Sequence, residues 1–122
     1  MNIEVSVGEV LDKISILEIK RKKIKDSNKL KNINKEFLIL SESFPNFKEQ
    51  EDYNNLLDIN TTLWDIEDKL RIKESKQSFD EVFISLARDV YFTNDIRSKI
   101  KKRINLKMGS DLVEEKSYVE YK

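Results

Sequence analysis

Ser6-Val7-Gly8-Glu9-Val10-Leu11-Asp12-Lys13-Ile14-Ser15-Ile16-Leu17, residues 6–17, decides the fold class of this chain. Ser6 and Glu9 stand three apart, the spacing of a capping box. In that arrangement the hydroxyl accepts from a free N–H of the first turn and the carboxylate reaches back to the cap. Behind it, Val7, Val10, Leu11, Ile14, Leu17 and Ile24 recur at the period of an amphipathic helix. Lys20 to Lys25 give a basic last turn, which suits the negative end of the helix dipole. Asp26-Ser27-Asn28 then supplies turn and cap chemistry, so a first helix is expected over about residues 7–25.

Working outward, Leu30, Ile33, Phe37, Leu40 and Phe44 form the stripe of a second helix over 27–43, ended by Pro45. Glu49-Gln50-Glu51-Asp52 is an acidic first turn, opening a third helix over 49–75 through Tyr53, Leu56, Leu57, Leu63, Trp64 and Leu70. Ser78-Phe79-Asp80-Glu81 repeats the capping-box spacing and opens a fourth helix over 79–108, with Gly109 as its C-terminal cap. Toward the N-terminus, Ile3, Val5 and Val7 alternate with Asn2, Glu4 and Ser6, the period of a short strand. Ser117-Tyr118-Val119-Glu120-Tyr121 alternates in the same way within the tail 110–122, which would pair with that strand or pack across the helices. The expected architecture is all-α: a four-helix bundle of two helical hairpins, residues 1–122 as a single domain, with a short N-terminal strand and the C-terminal tail as its trimmings.

Composition agrees and narrows the chemistry. Two Gly and one Pro in 122 residues leave little turn material for an all-β fold. With neither His nor Cys there is no disulfide framework, no thiol nucleophile and no His-based relay, and no metal set or cofactor is expected. No segment approaches the apolar length of a membrane span, and the first residues lack the basic start and apolar run of a secretory leader, so a cytoplasmic address is expected.

The 23 basic and 23 acidic side chains cancel overall but are segregated. Residues 20–35 carry eight bases against Asp26 alone, residues 49–68 seven acids and no base, and residues 97–107 six bases and no acid. Such blocks mark solvated faces, or faces that pair within a fold or between copies. A dedicated duplex binder is basic overall, so nucleic acid ranks low among partners.

Charges on the inner stripes are the candidate site. The third helix places Glu67, Arg71 and Glu74 there, and the fourth places Asn94, Arg97 and Lys101. They would lie at stripe edges with their heads in water, form an ion network that fixes register, or line a polar pocket for an anionic ligand. Glu9-x-x-Asp12 and Asp65-x-x-Asp68 each put two carboxylates on one helix face, as helical Mg²⁺-dependent pyrophosphohydrolases do, but such pairs are common on solvated surfaces. Gly8 leaves N–H groups open to an anion, with Glu9 and Asp12 opposing one. Lys99-Ile100-Lys101-Lys102-Arg103 would track phosphates, without an aromatic platform.

Val7 to Lys20, Leu63-Trp64-Asp65-Ile66-Glu67-Asp68, Phe83-Ile84-Ser85-Leu86-Ala87-Arg88, Asn94-Asp95-Ile96-Arg97, and Gly109-Ser110 with Glu114-Glu115-Lys116-Ser117-Tyr118 together resemble a small bacterial family classed only as a domain of unknown function. The resemblance spans nearly the whole chain. It implies a short helical protein, some of whose relatives stand near or fused to glycosyltransferase-like proteins of surface polysaccharide synthesis, and it brings no catalytic residue.

Two functions are therefore expected to compete. The first is a non-enzymatic module for self-association or a protein partner. The second binds or processes, with Mg²⁺, a phosphorylated small molecule such as a nucleotide sugar, with Arg71 or Arg97 on the anion and Glu67 or Glu74 as metal ligand or base.

Overall fold

A computed structural model describes residues 1–121. Among these the secondary structure is entirely helical: α1 Val7–Lys23, α2 Ser27–Ser43, a single 3-10 turn Phe47–Glu49, α3 Glu51–Ser75 and α4 Glu81–Lys107.

Local chemistry sets each boundary. Ser6 is extended and its Oγ accepts from Glu9 N at 3.2 Å, so the hydroxyl half of the first capping box forms. Asp26 caps α2 by accepting from Lys29 N. Before α3, Gln50 is extended, which separates the 3-10 turn from the helix and delays its start to Glu51. The fourth helix begins two residues later than the serine spacing predicts. Asp80, not Ser78, is the cap: its Oδ1 accepts from Phe83 N at 3.0 Å, while Ser78 Oγ donates to its other oxygen. With two acceptors competing, the ionised one makes the stronger bond to a backbone N–H.

Both long helices end alike. Gln77 and Gly109 adopt positive φ, and the next residue's N–H returns to a carbonyl five residues back, Ser78 to Lys73 and Ser110 to Asn105. This left-handed closure satisfies carbonyls that the helix itself leaves free. Glycine takes it without steric cost at 109, whereas Gln77 bears that cost.

α1 is the centre of the assembly, packing against α2, α3 and α4, while α3 and α4 lie along each other. Leu11, Ile14, Phe47, Tyr53, Leu56, Ile100 and Ile104 form the core, flanked by Val7, Val10, Phe37, Leu40, Phe44 and Ile59. Phe47 meets Phe37 and Tyr53 edge-on, so the 3-10 turn plugs the base of α2 and α3. The core thus occupies one end of the α3–α4 pair. Lys23, the last residue of α1, reaches Asp65 at 3.6 Å, and from Glu67 to Phe92 no residue is buried.

The expected N-terminal strand does not form. Met1 to Val5 are exposed and hold no ladder, because the tail offers them no backbone edge. The tail returns along α4 instead, tied by side chains: Lys102 to Glu115 at 2.5 Å, Lys101 to Glu114 at 3.8 Å, and the Tyr121 hydroxyl to Asp95, with its ring edge-on to Tyr91 and Phe92.

Candidate functional site

The stripe reading of α1 describes one face, yet the helix is covered on two. Gly8, Asp12, Ser15 and Ile19, at steps of four, three and four, form a second buried stripe beside Leu11, Ile14 and Leu17. Its small and polar members create the site. At Gly8, α1 comes so near α4 that a Cβ would stand 2.6 Å from the Lys101 carbonyl oxygen. The close approach lets Gly8 N–H donate to Asn105 Oδ1 at 2.6 Å and Val7 N–H to Ser110 Oγ at 3.2 Å. With Ser6 holding Glu9 N–H, the first-turn donors expected to attract an anion are already taken by side chains.

One turn on, Asp12 is 1% exposed. Arg97 grips both its carboxylate oxygens through Nε and Nη2, and Asn60 Nδ2 donates to Asp12 Oδ1 and to Ser15 Oγ, each at 2.9 Å. Lys101, 8% exposed, meets Glu9 at 2.8 Å, Asp12 at 3.9 Å and Glu114 at 3.8 Å. The guanidinium's hydrogen bonds to Asp12 raise its already high pKa, so Arg97 is a permanent cation. Among the described residues no buried side-chain polar atom lacks a partner, as an ion network demands if it is not to cost stability. The Glu9–Asp12 carboxylate pair is thus occupied by cations of α4, and the described residues contain no group of three or more acids, His or Cys that could hold a metal.

The six stripe candidates separate into two sets. Asn94, Arg97 and Lys101 gather on α4 at one cleft, with Arg97 Nη1 near Asn94 Oδ1 at 3.4 Å. Glu67, Arg71 and Glu74 are exposed on the far part of α3, where Arg71 pairs, among the described residues, only with Glu67 one turn away at 3.4 Å. The two sets do not converge on a common pocket.

The cleft lies between α4 and the returning tail and encloses about 640 Å³. Arg97, Lys101 and Lys116 face Glu9, Asp95 and Glu114 across it, and Tyr91, Tyr118 and Tyr121 supply aromatic wall. Charge is balanced rather than cationic. Lys116 holds Glu114 below its usual pKa, and the hydrogen bond to Asp95 pushes the Tyr121 hydroxyl up to about 12. A second cleft of about 530 Å³ lies toward Phe92, Ile96 and Lys99. A further pair braces the base of the core. Arg103 grips Asp52 through Nε and Nη2, with Lys107 at 3.6 Å, and these hydrogen bonds lower the Asp52 carboxyl to about 2. Burial first, then the 2.5 Å bond to Glu18, pushes the Tyr53 phenol well above its ordinary range.

Asp12, which the sequence offers only as half of the Glu9-x-x-Asp12 carboxylate pair, and Ser15, Asn105 and the tail tyrosines, which it does not single out, complete the site. The signal that finds the first two is the run Gly8, Asp12, Ser15, Ile19, a small and polar stripe that makes sense only on a helix buried from two sides.

An all-helical protein whose polar centre is a closed ion network is the class these features define. The chain belongs to a family of unknown function, DUF6165, whose model matches residues 1–121. No curated protein and no solved structure matches it. Among the described residues no helix is long and apolar enough to cross a membrane.

Proposed function

We propose that this protein is a non-enzymatic helical interaction module, a bundle of two hairpins that self-associates through the far end of the α3–α4 pair. The observation that carries the reading is the absence of any buried residue between Glu67 and Phe92 although two helices lie together there. Leu70, Phe83, Leu86, Ala87 and Val90 are only half-covered, and Ile72, Phe79, Val82 and Ile84 are more than half exposed. Two helices bury one stripe each against the other; a four-helix arrangement is needed to close a core. A second copy supplies it. Glu67, Asp68, Glu74, Asp80, Glu81 and Asp89 stand among Lys69, Lys73, Lys76, Arg71 and Arg88, so the same surface on a partner meets little net repulsion. Role as an accessory to surface polysaccharide synthesis in the cytoplasm is part of this proposal.

Light scattering across a concentration series tests it. A dimer that persists in high salt and dissociates on Val82→Glu is expected, because the contact is mainly apolar. A monomer at every concentration sinks the reading.

A second reading is favoured by the tail cleft, where Asn94, Arg97 and Lys101 meet tyrosine walls around a volume that suits a small ligand. A phosphorylated molecule such as a nucleotide sugar would compete there with Glu9 and Glu114 for the two cations. Thermal-shift assays with nucleotides and sugar phosphates, with and without Mg²⁺, decide it: no stabilisation by any of them removes this reading.

A further inference from the structure

The three charge blocks pair only in part. The acidic block on α3 is answered chiefly by the basic end of α4, where Arg103 and Lys107 take Asp52 and Glu51. The first basic block, at the corner where α1 turns into α2, is left over. Of its eight cations only Lys23 has a carboxylate within ion-pair distance, Asp65 at 3.6 Å, among the described residues. Arg21 lies over the Phe37 ring at 4.3 Å, and Lys25 donates to the Lys22 carbonyl. The single acid within the block, Asp26, spends one oxygen capping α2.

The outer face of α2 adds a second observation. At 100° per residue, Lys31, Lys35, Leu38, Ile39 and Glu42 share the face opposite Leu30, Ile33, Phe37 and Leu40. Ile33 is buried against the neighbouring helix, whereas Leu38 and Ile39 are each 59% exposed. Lysines and two bare aliphatic side chains therefore stand next to one another on one solvent-facing crest.

We infer that this corner and the outer face of α2 dock together on an anionic lipid surface, with the lysines over the headgroups and Leu38 and Ile39 entering the interfacial layer. Such a surface satisfies both halves of the patch at once: charge draws the corner in, and aliphatic side chains leave water. Nucleic acid satisfies one half only. The patch has seven Lys and one Arg, that Arg already lies on Phe37, and no exposed aromatic stands among residues 20–39 for a base to stack on. A second copy offers a thinned acidic block, since its Glu51, Asp52 and Asp65 are paired within its own fold and leave Glu49, Asp58 and Asp68, and it gives Leu38 and Ile39 no apolar layer to enter. The corner lies on α1 and α2, apart from the α3–α4 end used for self-association.

Vesicle co-sedimentation of the full chain tests the inference, using phosphatidylcholine alone and phosphatidylcholine with roughly 30 mol % phosphatidylserine. Binding at least about tenfold stronger to the anionic vesicles is expected, falling as salt rises. Lys31→Glu with Lys35→Glu should lower it about tenfold or more. Leu38→Ser with Ile39→Ser should weaken the part of the binding that survives high salt. All four positions are exposed, so circular dichroism melts close to wild type confirm that the variants fold. Equal binding to both vesicle types, no binding to either, or binding untouched by the Lys31→Glu/Lys35→Glu change overturns the inference. So does capture of a short RNA or DNA duplex in place of the vesicles. A Val82→Glu chain that is monomeric yet still binds anionic vesicles separates this surface from the self-association surface.

Discussion

Replacing Gly8 with alanine sets two rules against each other, and the structure decides the sign. Glycine inside a helix costs roughly 0.5–1 kcal/mol relative to alanine, so propensity alone makes Gly8→Ala stabilising. The added Cβ, however, would stand 2.6 Å from the Lys101 carbonyl oxygen and 3.0 Å from Asn105 Oδ1. The first of these is helical backbone of α4, which cannot rotate aside, so the helices must part by roughly half an ångström or more to restore ordinary contact. Parting them strains the Gly8–Asn105 bond and tilts Asp12 away from Arg97. Overpacking of this kind costs about 1–3 kcal/mol, which at mid-range exceeds the propensity gain and leaves a net loss of about 1 kcal/mol. For a chain of this length that corresponds to a melting point lower by roughly 4–8 °C. Urea titration followed by circular dichroism measures it, with Lys13→Ala on the exposed face as the control. A Gly8→Ala protein more stable than wild type would refute the close crossing of α1 and α4.

Arg97→Ala leaves the Asp12 carboxylate buried with only Asn60 and the more distant Lys101, so a loss of about 3–5 kcal/mol is expected. The Asp12→Ala/Arg97→Ala double variant should lose less than the sum of the single ones, and additive losses in a double-mutant cycle would contradict a coupled pair. The Asp52 carboxyl is lowered from 3.8 to about 2 in the fold, so its contribution is complete above about pH 4 and disappears as pH falls through about 2. Because Arg103 is half exposed, screening reduces that contribution to about 1–2 kcal/mol. Arg103→Ala should flatten the stability profile between about pH 4 and 2, and a profile identical to wild type would argue against the pair.

Caps and stripes made the helices legible. Ser6, Asp26 and Gly109 act where turn and cap chemistry put them, because each works through bonds within a few residues of itself. Ser78 misled for an equally local reason, a carboxylate two residues on that makes the better cap. The strand reading of residues 3–7 failed because alternation describes a face and says nothing about a partner edge. Of the candidate charges, Asn94, Arg97 and Lys101 lie where α1 covers α4, so their place on the stripe had consequences. Glu67, Arg71 and Glu74 occupy the inner stripe of α3 beyond the reach of α1, where that face is open to water. Periodicity cannot tell a covered stripe from an uncovered one. The length of the neighbouring helix can, and that is a tertiary fact.

The position of α1 also bears on the order in which the molecule is made. During synthesis α1 leaves the ribosome before α2, α3 and α4, carrying an aspartate that the finished fold keeps from water. Its guanidinium partner is 85 positions later and the Gly8–Asn105 bond spans 97. Until α4 has been synthesised, Asp12 must stay hydrated, so α1 cannot bury both of its faces early. A nascent chain arrested before Arg97 should therefore hold α1 loosely against α2 and α3, open to proteases and to chaperones that grip apolar helices. The last long helix to appear is the one that locks the first.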